Sequence, residues 1–112
     1  AKAYGGDATI DIKSSTAITY NDPDLVVKRL PTMQRVGGKE NIQIQKAITG
    51  AEDFSYFQEE IPGFFFFLGG MTPGPTESFP HHTPDFIIDD SGLILGVKTL
   101  TEMSLDYLNM TN

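Results

Sequence analysis

Five consecutive apolar residues, Phe64-Phe65-Phe66-Phe67-Leu68, stand between Pro62-Gly63 and Gly69-Gly70, and they constrain the fold more than any other segment. A strand with one face in water alternates apolar and polar residues. A run without alternation needs cover on both faces, as a central strand of a layered domain receives. The turn formers on either side bound the run. The segment predicts a buried strand with other elements arranged around it.

Upstream, Ala8, Ile10 and Ile12 alternate with Asp7, Thr9, Asp11 and Lys13, the period-two pattern of a half-buried strand, and a second β-prone stretch covers residues 15–20. Asn21-Asp22-Pro23-Asp24 then combines a capping side chain, a proline suited to the first helical turn and an acid near the positive helix end. A helix should begin there. Leu25 or Val26, Leu30, Met33 and Val36 recur at helical spacing, Pro31 is expected to kink or shorten the helix because it lacks an N–H, and Gly37-Gly38 ends it. Ile42 and Ile44 alternate with Asn41, Gln43 and Gln45, which predicts a short strand leading to Gly50-Ala51-Glu52-Asp53 and a brief helix over residues 54–60.

Residues 69–84 are rich in Gly, Pro, Thr and Ser and read as a long loop, the kind that is more often functional than idle. Asp89, Asp90 or Ser91 can cap a last helix whose Leu93, Val97, Leu100, Ser104 and Leu108 share one stripe, with Lys98, Glu102 and Asp106 facing elsewhere. Strands alternating with helices predict an α/β arrangement with a largely parallel sheet. A two-stranded opening before a capped helix reads as the tail of one domain crossing into another near residues 20–23.

Fifteen acidic and eight basic residues give a net charge of -7, which repels polyanions and argues against nucleic acid as a partner. No stretch approaches the apolar length of a membrane span, so the chain is expected to be soluble, with no membrane partner. Residues 1–6 lack the charged start and apolar stretch of a targeting peptide, which leaves the compartment undetermined. With no cysteine, any metal must be held by His and carboxylates.

Both histidines lie in Phe79-Pro80-His81-His82-Thr83-Pro84-Asp85-Phe86, at the end of the long loop. Neutral imidazole is the commonest metal ligand, and the flanking prolines restrict the backbone that presents the rings. Adjacent residues in an extended segment point to opposite sides, so one of the two would ligate and the other would be its neighbour. The competing reading is two loop histidines with no ligand role. Glu52 and Asp53 at a helix start could bind metal, orient a histidine or hold substrate, but acids are also favoured there by the helix dipole alone. Asn21-Asp22-Pro23 is likewise a cap first.

Tyr20-Asn21-Asp22-Pro23-Asp24-Leu25, Gly50-Ala51-Glu52-Asp53-Phe54-Ser55-Tyr56-Phe57, Pro62-Gly63 to Gly69, and His82-Thr83-Pro84-Asp85-Phe86 with Asp89 following occur in one order across nearly the whole chain. Together they resemble the C-terminal portion of the dimetal amidohydrolase and metallopeptidase family that includes hippurate hydrolases, aminoacylases and auxin-conjugate hydrolases. The resemblance implies a zinc-peptidase-like α/β catalytic domain with a mixed sheet. Residues 1–21 would be the end of a lid and dimerisation domain and its crossing, and residues 22–112 the C-terminal part of the catalytic domain.

It also implies two divalent ions, zinc foremost, with manganese, cobalt or nickel as alternatives. His82 would be a metal ligand, and Glu52, Asp53, His81 and Asn21 would be substrate-positioning or supporting residues. The activity implied is hydrolysis of N-acyl amino acids or small peptide-like amides by a metal-activated water, in a homodimeric parent. The family's remaining ligands and general base precede the matching stretch, so residues 1–112 alone are expected to be inactive. The other function class open to such a chain is a non-catalytic acidic α/β binding or assembly module.

Overall fold

In the computed structural model, residues 1–13, 16–71, 74 and 79–110 are described. The long loop predicted at residues 69–84 and the stretch at residues 15–20 therefore lie partly outside the described residues. Three helices carry the architecture: α1 (Pro23–Gly37), α2 (Phe54–Glu60) and α3 (Leu93–Met110), with short 3-10 turns at Lys2–Tyr4, Lys39–Asn41 and Asp90–Gly92.

Local chemistry accounts for where these helices start and stop. The Asp22 carboxylate accepts from the Leu25 N–H at 2.9 Å, Pro23 opens α1, and Gly38, at φ 84, closes it. Pro31 does not shorten the helix, which runs through it for 15 residues. At α2 the fully buried Ser55 donates its hydroxyl to the Glu52 carbonyl at 2.7 Å. Asp89 accepts from the Ser91 N–H and caps the 3-10 turn that continues into α3.

No strand and no sheet occur among the described residues, which corrects the predicted α/β fold with a mixed sheet. A strand exists only by pairing, and no ladder partner for the β-prone segments occurs among the described residues. Ile10, Ile12 and Ile44 are exposed rather than half-buried. Residues 64–68 are not covered on both faces: Phe64, Phe65 and Phe66 are half-buried, while Phe67 and Leu68 are exposed. Around this run the main-chain partners are sparse: Gly63 accepts from Asp22, Gly70 accepts from Asp89, and Phe65 is bonded to the Asn21 side chain. Its rings still alternate as an extended chain dictates, Phe65 meeting Phe54 and Phe67 at 5.6 and 5.3 Å and Phe64 meeting Phe66 at 6.0 Å.

Helix α3 packs on α1 by its polar face, opposite to the expected stripe. Arg29 and Thr32 of α1 are buried, and Thr32 donates to Asp106. Arg35 reaches Glu102 at 2.8 Å and Asp106 at 2.7 Å. Leu93, Val97, Leu100 and Leu108 are left exposed. Along this contact the pairing of acids with arginines takes the place expected of the apolar stripe. The first turns of α3 instead approach the end of the Phe run, where a Cβ on Gly96 would stand 2.9 Å from Leu68.

The result is a flat body of 66 × 42 × 19 Å with a radius of gyration of 19.7 Å. A compact chain of this length has a radius near ~13 Å. No hydrophobic side chain is buried among the described residues.

The Thr32 hydroxyl, together with Arg35 and the charge of Arg29, holds the Asp106 carboxyl below its ordinary range. A depressed native value means that stability from this group is present above the unfolded value of about 4 and is lost as pH falls through the lower native value. Lowering the pH from about 7 to about 3 is therefore expected to reduce the unfolding midpoint, and Asp106→Asn should reduce that pH response. Denaturant titrations at the two pH values check this, and an unaltered pH response in the variant contradicts it.

Candidate functional site

The segment at residues 79–89 is built as a tight turn around the two histidines. His82 adopts φ 65, the one positive φ among the described non-glycine residues. Its neighbours hold the turn: the Thr83 hydroxyl donates to the Pro80 carbonyl at 2.8 Å, and the Phe86 N–H donates to the Thr83 carbonyl at 3.2 Å. The His81 ring lies against Phe86 with centroids 4.6 Å apart, while the His81 and His82 rings are 6.4 Å apart with planes at 69°. Both imidazoles are exposed.

The remaining predicted site residues lie on other elements. Glu52 and Asp53 precede α2 with exposed side chains, and Asp53 makes no side-chain capping bond. Asn21 brackets Phe65, its amide donating to the Phe65 carbonyl at 2.7 Å and accepting from the Phe65 N–H at 2.6 Å. No group of three or more His, Asp or Glu side chains that could hold a metal ion occurs among the described residues. A protein-held zinc needs three or four ligands, so the donors present do not by themselves fit such an ion.

A cleft of 330 Å³ lies elsewhere, between Ile18, Tyr20 and Asp22 on one side and Gln58, Ile61 and Gly63 on the other. Gln58, absent from the candidate residues above, spans this cleft: its amide accepts from the Tyr20 N–H at 3.0 Å and donates to the Tyr20 carbonyl at 2.8 Å. A glutamine on a short helix carries no pattern that marks such a contact.

The sequence family described as peptidase family M20/M25/M40 matches residues 6–106. The chain belongs to this peptidase family. An N-acetyldiaminopimelate deacetylase of Geobacillus is 35% identical over 102 residues, covering 88% of this chain and 26% of that protein. A thermostable carboxypeptidase of Saccharolobus solfataricus is 32% identical over 92 residues, 82% of this chain and 23% of that protein. An uncharacterized hydrolase of Sinorhizobium fredii is 29% identical over 109 residues, 97% of this chain and 27% of that protein. The M20-family chain thus spans about a quarter of the length of these relatives. No solved structure matches it. No helix among the described residues is long and apolar enough to cross a membrane.

Proposed function

We propose that the chain is the C-terminal portion of a metal-dependent amidohydrolase acting on N-acyl amino acids or small peptide-like substrates, with His82 as one ligand of its divalent ions, zinc foremost. Residues 1–21 then finish a lid and dimerisation unit, and residues 22–112 belong to the catalytic unit. His82 carries this reading. A residue with a Cβ in the left-handed region costs on the order of 1 kcal/mol or more, and such conformations gather at functional sites. Here the strained residue bears an exposed imidazole in a turn braced by Thr83 and Phe86.

Two further observations support it. Deacetylase and carboxypeptidase, the names of two relatives, both describe cleavage of an amide bond. The flat body with its exposed apolar side chains fits a chain that other polypeptide covers. Glu52, Asp53 and His81 take supporting or substrate-positioning roles, and Asn21 acts through the Phe65 main chain.

The test is an assay of the complete protein against a panel of N-acyl amino acids with and without chelator. Metal-dependent release of the free amino acid is expected. Chelator-insensitive cleavage, or no cleavage by the metal-replete protein, refutes the proposal.

A further inference from the structure

We infer that Gln58 and Asn21 are positioning residues that latch the main chain at residues 20–22 and set the pivot for the preceding segment just before Tyr20. Between Gly6 and Ile18 the hydrogen bonds and ion pairs of the described residues are local, such as Asp7 to Ala8 and Lys13 to Asp11. From Tyr20 onward three successive residues are each tied to distant chain. Tyr20 gives both its main-chain groups to the Gln58 amide, Asn21 takes both main-chain groups of Phe65, and Asp22 donates to the Gly63 carbonyl at 3.0 Å while capping α1.

Each side-chain amide uses one donor and one acceptor on a single residue, the exchange that two paired strand residues make. Gly63 completes the arrangement, since a Cβ there would stand 2.5 Å from Cγ of Gln58. A side chain at residue 63 would crowd the glutamine where it crosses the cleft to Tyr20. Among the described residues the long-range hydrogen bonds therefore begin at Tyr20, and the latch fixes the direction in which residues 16–19 meet the body formed by α1, α2 and the Phe run. Identifying the moving part as a lid rests on the proposed function; the latch itself does not.

The experiment uses hydrogen exchange and steady-state kinetics on the complete protein. In Gln58→Ala, the peptide containing Tyr20 should exchange roughly tenfold faster or more, as expected on loss of both hydrogen bonds to Tyr20, with α3 peptides unchanged as the folding control. Gly63→Ala should release Tyr20 similarly while keeping every hydrogen-bonding group. Gln58→Glu keeps the acceptor for the Tyr20 N–H but sets a carboxylate oxygen, which cannot donate, against the Tyr20 carbonyl, so it should release Tyr20 as Gln58→Ala does. Released variants, Gln58→Glu among them, should lose kcat/KM severalfold.

Unchanged Tyr20 exchange in both Gln58→Ala and Gly63→Ala overturns the latch, and released Tyr20 with unchanged kcat/KM overturns its positioning role. If the unaltered protein shows no amide hydrolysis, the hydrolase reading fails while the exchange results still decide the latch.

Discussion

Replacing His82 by alanine is expected to lower kcat/KM for amide hydrolysis in the complete protein by at least ~100-fold and to reduce its bound metal. Loss even of a residue that supports a ligand costs about 10- to 100-fold, so loss of the ligand itself should reach or exceed that range. His82→Gly separates ring from backbone. Glycine adopts φ 65 without strain, so this variant should match or exceed the parent in stability by up to about 1 kcal/mol while remaining inactive. His81→Ala should keep its metal and lose about 0.5–1.5 kcal/mol of stability through the contact with Phe86. Metal analysis of each purified variant, together with kcat/KM, checks the set. A His82→Ala protein with full metal content and full activity would end the ligand assignment.

The contrast between what the sequence disclosed and what it concealed follows the range of the interactions. Asp22, Pro23 and Gly38 act on the turns beside them, and α1 begins and ends where they indicate. Helix α2 at residues 54–60 was legible for the same reason. Strands are different because their hydrogen bonds come from elsewhere in the chain or beyond it, and alternation at Ala8, Ile10 and Ile12 reports only a willingness to pair. The orientation of α3 was lost similarly: its Leu stripe predicts burial only if an apolar surface faces it, and α1 presents Arg29, Thr32 and Arg35 instead. At the site, residue chemistry marked the His81-His82 pair and the family resemblance pointed to His82, but nothing in Pro80-His81-His82 announces a left-handed backbone. Asn21 was noticed through its cap-like neighbourhood, yet its hydrogen bonds go to Phe65, 44 residues away.

Arg29 tests whether that polar helix pair is the main source of cohesion in this part of the molecule. It is 6% exposed, and its guanidinium donates to the Met103 carbonyl at 3.3 Å, contacts the Met110 sulfur at 3.1 Å and lies 5.6 Å from the centre of the Tyr107 ring. Arg29→Ala removes these contacts and the side-chain stem that fills the interface, a loss of about 2–4 kcal/mol for a buried side chain of this size. Arg35→Ala should cost only about 0.5–1 kcal/mol, because its carboxylate pairs are partly in water and screened.

Charge and packing are then separated by Arg29→Met. The Nε of Arg29 is buried without a hydrogen-bond partner among the described residues, so the cation carries a desolvation cost that methionine lacks at similar volume. If packing holds the helices together, Arg29→Met should stay within about 1 kcal/mol of the parent, because an apolar side chain of matched volume replaces a buried ion at little cost. Denaturant unfolding of the complete protein measures all three. Equal losses in Arg29→Ala and Arg29→Met would instead make the guanidinium itself the tie between α1 and α3, and an Arg29→Ala protein as stable as the parent would mean that this helix contact contributes nothing measurable.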